Sequence, residues 1–315
     1  MKLRILSLIL LLFFQWLMFN GQCSMAFAQT RLYVRGSAVP GGLQELTRFQ
    51  TNTSGRYTFK FHGKLLPGDL YITTTNVPRA SSYYYAPKLV DTNIVTDKAD
   101  YAQKRDSIGA EWAVLFEADN YRFTVDTYNK QVTGELFTRW YEAWICGGCV
   151  EDEQGKGISG QEGHWQITAG KQMEQDSSDP NVFEWTGLLK AYSYNQEPKR
   201  FKINGQYGWG PKVLHPFTQD ASILTAKQLW YNGSEDYKWI ISKDGYYRIK
   251  VNVFEETIEG EYLGTEEPDG IETIQNDEIV NSKSSNSKWY NLAGQRLSKP
   301  QRGLNIIGGR KVLIK

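Results

Sequence analysis

The sequence predicts an all-β protein made of two tandem antiparallel β-sandwich domains and a small C-terminal β tail. Short segments that alternate apolar and polar residues recur along the chain, with Gly, Pro, Asn and Asp between them. No long window has a helical period. Many short strands separated by turns are typical of sandwiches rather than of helical or mixed folds.

A long stretch of the sequence occurs twice. Residues 57–65 match residues 181–189 in their aromatic, glycine and leucine positions, and residues 121–137 align without a gap on residues 247–263. Upstream, LYVRGSAV at 32–39 pairs with AWICGGCV at 143–150. A further block aligns Tyr85, Pro87 and Lys88 on Trp209, Pro211 and Lys212. The same blocks in the same order, with loops of different length, predict a duplicated structural unit.

The predicted strands follow the two copies in order. Residues 57–61 alternate aromatic and polar side chains, and residues 70–74 are rich in β-branched residues between Gly68 and Pro78. Asp244-Gly245 and Glu255-Glu256 supply hairpin turns. The predicted strands are 32–35, 57–61, 70–74, 114–116, 121–126 and 131–137 in the first copy, 143–146, 182–186, 200–204, 238–242, 246–253 and 257–262 in the second, and 288–292, 304–307 and 311–314 in the tail.

The repeat and the shifts in composition divide the 315 residues into five parts. Each copy is long enough to bury a core of its own. Residues 265–287 are rich in Glu, Asp, Asn and Ser, as a linker is. The predicted parts are a signal peptide at 1–28, sandwich domains at 29–139 and 140–264, the linker at 265–287 and the β tail at 288–315.

The N-terminus has the pattern of a cleavable secretory signal. Lys2 and Arg4 precede an apolar run over residues 5–19, and Ala26-Phe27-Ala28 supplies the small-x-small cleavage pattern. The mature chain is then expected to begin at Gln29, and the protein to be secreted or displayed at the cell surface. A retained anchor is disfavoured because the apolar run is short for a membrane span. Lipidation at Cys23 is disfavoured because Gln22 precedes it.

Charge and aromatic content narrow the function class. The formal net charge is +1 with both signs interspersed, which gives no basic footprint for nucleic acid. Ten Trp and nineteen Tyr are more than two small cores need, so we expect some rings at the surface.

Cys146 and Cys149 form the string WICGGC. A C-x-x-C pair suggests thioredoxin-type redox chemistry, but the repeat aligns both cysteines on the turn after an opening strand, and no helical pattern follows. A small structural disulfide between them, or two idle thiols, is the favoured interpretation.

Aromatic residues beside lysines are the candidate ligand-binding residues. A sugar offers one face of C–H groups and a rim of hydroxyls, so its site needs a ring and polar side chains in reach. In the second copy, Tyr207 and Trp209 lie among glycines and Lys212 follows, although Trp209 packing on Pro211 is a close alternative. The first-copy candidates are Tyr83, Tyr84, Tyr85 and Lys88, and the further ring candidates are Trp165, Trp230 and Tyr231.

The repeated unit resembles the starch-binding outer-membrane proteins SusE and SusF. The resemblance rests on LYVRGSAVPGG at 32–42, on VFEWTGLLK at 182–190 leading to RFKIN at 200–204, and on WGPKVLHP at 209–216. It implies immunoglobulin-like or carbohydrate-binding-module-like sandwiches that bind a starch-like polysaccharide or oligosaccharide without cleaving it. It also implies other outer-membrane glycan-uptake proteins as partners.

The C-terminal tail resembles the sorting domains of type IX-secreted proteins. The pattern is YNLAGQR at 290–296, a glycine before an apolar strand, a glycine turn, and KVLIK at 311–315. Those starch-binding relatives are lipoproteins, whereas this chain lacks a good lipidation site and has this tail. A terminal hairpin of the last sheet is the structural alternative.

An enzyme is the less favoured class. A glycosidase needs two carboxylates ~5 to 9.5 Å apart, and the strand carboxylates Glu184, Asp126 and Glu261 cannot be paired from sequence. His62, His164 and His215 lack metal-ligand spacing, and no serine lies in a nucleophile elbow. We therefore predict no catalysis and no cofactor. A surface adhesin or scaffold that binds a protein is the runner-up, because exposed Tyr and Trp also serve protein recognition.

Overall fold

The computed structural model describes residues 30–77, 82–105, 110–152, 155–158, 169–193, 197–208, 210–267, 272–274, 289–299, 301–307 and 310–314. These residues contain strands, turns and no α-helix, which confirms the all-β prediction. The predicted signal peptide lies outside the described residues. Within the described ranges, no helix is long and apolar enough to cross a membrane.

The chain divides into two compact units between Arg139 and Trp140. The strands of the first unit are β1 (Tyr33–Arg35), β2 (Leu43–Glu45), β3 (Thr47–Gln50), β4 (Tyr57–Leu65), β5 (Gly68–Thr73), β6 (Tyr83–Pro87), β7 (Thr92–Asn93), β8 (Thr96–Arg105), β9 (Trp112–Val114), β10 (Ala118–Asp126) and β11 (Gln131–Leu136).

The second unit begins with a matching set of strands. They are β12 (Trp144–Gly147), β13 (Lys171–Gln172), β14 (Glu174–Gln175), β15 (Val182–Leu189), β16 (Arg200–Asn204), β17 (Val213–His215), β18 (Ala221–Ser222), β19 (Trp230–Tyr231), β20 (Trp239–Ile240), β21 (Gly245–Asn252) and β22 (Thr257–Gly264).

Both units have the same strand connections. In the first unit, β2-β1-β5-β6 form one layer and β11-β10-β4-β3 the other, and the long strand β8 pairs with both β6 and β11. In the second unit, the layers are β13-β12-β16-β17-β19 and β14-β15-β21-β22. A bridge between Gln228 and Thr257 joins its two layers. Even the small parallel pairs correspond, β7 with β9 and β18 with β20.

The strand registers confirm the duplication. Phe61 lies opposite Phe123 in the first unit, and Trp185 lies opposite Ile249 in the second. These are the residues that the sequence alignment equates in the two blocks 57–65 and 121–137. Because a slip of one residue would turn every side chain to the other face, equal register means that both cores are built from the same positions.

One block of the alignment is wrong. Tyr84 of β6 and Val213 of β17 are structurally equivalent. Tyr84 pairs with the last residue of β5, and Val213 pairs with the last residue of β16. This register equates Pro87 with Pro216, and not with Pro211. The tyrosines at 83–85 are therefore strand residues, and no described residue of that strand corresponds to the loop around Trp209.

Shared contacts explain the repeated motif of Tyr-Arg and Gly-Glu. Arg122 forms an ion pair with Glu135, and Arg248 forms one with Glu261 at 2.9 Å. The tyrosine before each arginine is buried and donates its hydroxyl to an upstream backbone carbonyl, that of Phe116 at 2.7 Å in the first unit. This hydrogen bond fixes the chain where it enters the strand, as the tyrosine corner of immunoglobulin-like sandwiches does.

A glycine on β11 and another on β22 allow backbone from the other layer to come close. A Cβ atom at Gly134 would lie 2.0 Å from the carbonyl oxygen of Ile94, and one at Gly260 would lie 2.7 Å from that of Ile223. Since neither backbone oxygen can move without disturbing its layer, these positions tolerate only glycine.

The core of each unit lies between its two layers. In the first unit, the rings of Phe61 and Phe123 stack at 5.1 Å, and Trp112 is fully buried with its indole nitrogen donating to the carbonyl of Tyr85 at 2.8 Å. In the second unit, Phe201 and Trp239 stack at 5.9 Å. Aromatic rings of this size bury enough apolar area to dominate the stabilisation of small cores.

The C-terminal region forms a separate sheet of five strands in the order β23-β27-β26-β24-β25. Its strands are β23 (Glu272–Ile274), β24 (Trp289–Tyr290), β25 (Arg296–Leu297), β26 (Gly303–Ile307) and β27 (Arg310–Ile314). Strand β23 lies inside the segment predicted as a linker and pairs parallel with β27. The tail is thus more than a terminal hairpin.

Replacing Gly134 by Ala should destabilise the protein by on the order of 3 kcal/mol, because the new methyl group overlaps the Ile94 carbonyl. Chemical denaturation measures the change, with the exposed neighbour Thr133→Ala as a control that should stay close to wild type. An unchanged denaturation midpoint for Gly134→Ala would contradict this account of the close approach.

Candidate functional site

The loop over residues 205–212 joins β16 to β17 and carries three of the predicted ligand-binding residues. Asn204 and Val213 pair across the strands at its base. Tyr207 and Lys212 are described, whereas Trp209 lies outside the described residues. The prediction for Trp209 therefore stays a prediction, and the residues around it define the site.

The side chain of Gln206 holds the loop in one shape. Its Nε2 donates to the carbonyls of Gly208 at 3.2 Å and Lys212 at 3.1 Å, and its Oε1 accepts from the Lys212 amide at 3.1 Å. The Gly205 amide also donates to the Lys212 carbonyl at 2.8 Å. A loop closed from inside by one amide side chain is already formed before a ligand arrives.

Two aromatic rings meet at the outer side of this loop. Tyr207 is 55% exposed, and its ring is tilted against that of Trp144 at a centroid distance of 4.8 Å. The Tyr207 amide donates to Glu142 Oε1 at 2.9 Å, which ties the loop to the segment before β12. Glu142 thus lies next to the ring pair. Trp144 is not among the predicted ligand-binding residues. The alignment of residues 32–39 on 143–150, which equates it with Tyr33, is the sequence feature that marks an aromatic residue here.

Trp140 forms the floor beneath the loop. It is fully buried, and its indole nitrogen donates to the hydroxyl of Tyr231 at 3.2 Å. A Cβ atom at Gly205 would lie 2.5 Å from the Trp140 ring, so the glycine lets the loop backbone rest on the indole. Tyr231, one of the predicted rings, therefore supports the site from below.

Two polar groups at the base of the loop have no hydrogen-bond partner. They are the indole nitrogen of Trp144 and Oδ1 of Asn204, which belong to residues paired across β12 and β16. The other end of the Asn204 amide is used, since Nδ2 donates to the Gly208 carbonyl at 3.3 Å. Unpaired buried donors and acceptors are uncommon in folded proteins.

Of the remaining ring candidates in the second unit, the structure describes Trp230. Trp230 pairs with His215 and stacks on Phe217 with centroids 5.9 Å apart, so one face of its indole is occupied. Trp165 lies outside the described residues. The ring pair of Tyr207 and Trp144 is therefore the exposed aromatic surface that the described part of this unit places at the loop.

The first-unit candidates do not form one aromatic surface. Successive side chains of a strand point to opposite faces, so Tyr83 and Tyr85 face the core while Tyr84 faces away. Tyr85 is buried and stacks on Tyr101 at 4.6 Å, and burial raises its pKa to about 12. Lys88 forms an exposed ion pair with Asp100 at 2.9 Å. The three tyrosines thus lie on two faces of β6, and ligand binding by these residues and Lys88 stays a prediction.

Comparison with known proteins gives a limited result. No protein-family model matches the chain, and no curated protein matches it. Among solved structures, SusF from Bacteroides thetaiotaomicron is similar with a TM-score of 0.32 and 11% sequence identity, over 75% of this chain and 48% of that one. The chain thus spans about half the length of SusF.

Cys146 and Cys149 are free, buried thiols rather than a disulfide. The Cys149 thiol donates to the Arg200 carbonyl at 3.5 Å. Strand β12 lies so close to this carbonyl that a Cβ atom at Gly147 would lie 2.2 Å from its oxygen. Burial raises the pKa of Cys146 to about 12 and that of Cys149 further. Thiols held in the protonated form are poor nucleophiles, so the two residues are structural.

The carboxylates considered for catalysis serve structural contacts. Glu184 and Glu261 both pair with Arg248, at 3.4 and 2.9 Å, on the outer face of β15, β21 and β22. They line a shallow depression of about 540 Å³ with Lys250 and Glu259. Asp126 accepts the backbone amides of the turn after β10. In the described ranges, no group of three or more His, Cys, Asp or Glu could hold a metal ion.

Both described histidines are buried against backbone or rings. His215 Nδ1 lies 2.9 Å from the Tyr237 carbonyl, and His62 packs against the ring of Phe49. Burial lowers the pKa of His62 to about 3 and also lowers that of His215. Neutral, enclosed imidazoles of this kind belong to the packing of each unit.

Native protein should resist thiol reagents at pH 8, and two thiols should react once it is unfolded in denaturant. The raised pKa keeps both sulfurs protonated in the fold, whereas an unfolded cysteine ionises near its ordinary pKa of ~8.5. By the same linkage, their contribution to stability is full below about pH 8.5 and falls as the pH rises toward the folded pKa.

The measurement is a colorimetric thiol titration of residues 29–315, which lack Cys23. Cys146→Ala should lower the count in denaturant from two to one. No reactive thiol in denaturant without reductant would show a disulfide instead.

Proposed function

We propose that this protein is an exported, non-catalytic glycan-binding protein of the cell surface, with its binding site at the 205–212 loop of the second unit. The observation that carries the proposal is the exposed ring of Tyr207 on Trp144, held by a loop that is already closed by Gln206. Sugar sites combine such a preformed shape with an aromatic ring and a few polar groups.

The chemistry around the rings suits a neutral sugar. An aromatic ring covers the C–H face of a pyranose, and hydroxyls at its rim need donors and acceptors. Tyr207 supplies the ring, Glu142 an acceptor and Lys212 a cationic donor at the end of the loop. We include Trp209 in the platform, because it sits between Gly208 and Gly210 in the same loop.

The class of glycan follows from the sequence resemblance. LYVRGSAVPGG and WGPKVLHP resemble segments of the starch-binding surface proteins, so a starch-like polysaccharide is the first ligand to test. Other outer-membrane glycan-uptake proteins are the corresponding partners. The C-terminal sheet, with its sorting-type sequence, would then serve export and display, and the second sandwich would hold the ligand.

Absence of catalysis is part of the proposal. Glu184 and Glu261, the carboxylates that a hydrolase would need, share the guanidinium of Arg248 on an exposed sheet face. A general acid of a hydrolase works from a pocket that holds the substrate, whereas these two carboxylates lie on an open sheet face with an arginine between them. We therefore expect binding without turnover.

Affinity electrophoresis of residues 29–315 tests the proposal. Soluble starch cast in the gel should retard the wild type, with barley β-glucan, galactomannan and dextran as further gels. Tyr207→Ala and Trp209→Ala should each relieve the retardation, because a stacked ring contributes ~1 kcal/mol or more to binding.

Tyr128→Ala is the matched control. Tyr128 is 61% exposed, lies in the first unit and stacks on Arg56, so its loss should leave the retardation unchanged. Wild type that runs freely in every gel would count against glycan binding. Retardation that survives both ring variants would move the site elsewhere.

A further inference from the structure

Two unpaired polar groups, one a donor and one an acceptor, lie at the base of the loop. The Trp144 indole nitrogen can only donate a hydrogen bond, and the Asn204 Oδ1 can only accept one. Both are buried and without a partner among the described residues. A buried polar group left unpaired weakens a fold, so such a group calls for an explanation.

The two groups belong to one place. Trp144 and Asn204 are direct partners across β12 and β16, which puts their side chains side by side on the same face. Asn204 is 1% exposed, and its Nδ2 is fixed on the Gly208 carbonyl at 3.3 Å. This bond sets the orientation of the amide and leaves Oδ1 as the end that is open to another group.

The first unit gives an internal comparison. Tyr33 and Thr73 occupy the places of Trp144 and Asn204 and pair with each other in the same register. There the polar groups are used: Tyr33 forms a side-chain hydrogen bond with Arg31, and the Thr73 hydroxyl lies 3.4 Å from the Thr75 carbonyl. The unpaired donor and acceptor are therefore a feature of the unit that carries the proposed platform.

A hydroxyl group matches this pair. Its oxygen accepts a hydrogen bond from an indole N–H while its proton is donated to an amide oxygen. We propose that Trp144 and Asn204 bind one hydroxyl of the glycan between them and so determine which sugar position the site accepts. This inference rests on the glycan-binding function proposed above, and it adds the residues that read the rim of the sugar.

Tyr207 controls access to the pair. Its ring touches the Trp144 indole and is itself more than half exposed. Exposed side chains change rotamer in picoseconds to nanoseconds, so a rotation of Tyr207 can admit a ligand hydroxyl without a change of backbone. The closed loop around Gln206 stays in place during this step.

Trp144→Phe is the sharpest variant, because it removes the indole N–H and keeps an aromatic ring. Affinity for maltoheptaose, measured by calorimetry on residues 29–315, should fall about tenfold, the effect of one good hydrogen bond. Cellohexaose and mannohexaose serve as further probes. Trp112→Phe is the matched control, since its indole nitrogen donates to Tyr85 in the other unit. It should lower thermal stability and leave the affinity unchanged.

A second measurement follows the indole N–H directly in the wild-type protein. In a ¹H–¹⁵N spectrum, the Trp144 indole signal, assigned by its loss in Trp144→Phe, should move downfield and exchange more slowly when maltoheptaose is added. An indole signal that stays in place, with Trp144→Phe binding as tightly as wild type, would show that the pair holds only water and would overturn the inference. If wild type binds none of the three oligosaccharides, the glycan-binding function itself fails.

Discussion

The pairing of β4 with β10, and of β15 with β21, is the constraint on which the rest of the structure depends. It fixes Phe61 against Phe123 in one unit and Trp185 against Ile249 in the other. A slip of one residue would expose the inner side chains of a whole layer, so the alternation of apolar and polar residues specifies the register strongly. Once it is set, the last strand of each layer can bring Gly134 or Gly260 against backbone from the opposite layer. The positions of the loops at the sheet ends are set by these paired strands.

The proposed site lies at one end of the layer that contains β12, β16 and β17. Strand β16 ends there, and β12 and β17 begin there, so Trp144 meets Asn204 and the 205–212 loop although it is far from them in sequence. Trp140 supplies the floor because Gly205 has no side chain to keep it away. Gln206 closes the loop locally, and the bond from the Tyr207 amide to Glu142 ties it to the segment before β12. Rigid strands and one self-contained loop are enough to hold an exposed ring.

Sequence reasoning predicted the parts of the fold that follow from local pattern. Strand β16 and the hairpins around β10 and β21 were predicted because their side chains alternate clearly. Strand β8 (Thr96–Arg105) was missed because its sequence, TDKADYAQKR, is polar for most of its length. The alignment of Tyr85 on Trp209 was wrong because only the register shows that residues 83–85 belong to a strand. The partnership of Tyr207 with Trp144 could not be predicted, because it depends on three strands that begin or end at the same level.

The duplicated units also separate what the fold requires from what the site requires. Both copies keep the ion pair, Arg122 with Glu135 in the first and Arg248 with Glu261 in the second. Both also have a residue with positive φ in the turn between these two strands, Lys130 and Glu256. They differ at one pair of equivalent positions, where Tyr33 and Thr73 are hydrogen-bonded in the first copy and Trp144 and Asn204 leave a donor and an acceptor open in the second. Leaving a buried group unpaired lowers stability by ~1 to 3 kcal/mol, so the fold alone gives no reason for it. A ligand hydroxyl that completes both bonds would recover this loss on binding, and the most buried groups of the site would then be the ones that contribute most to selectivity.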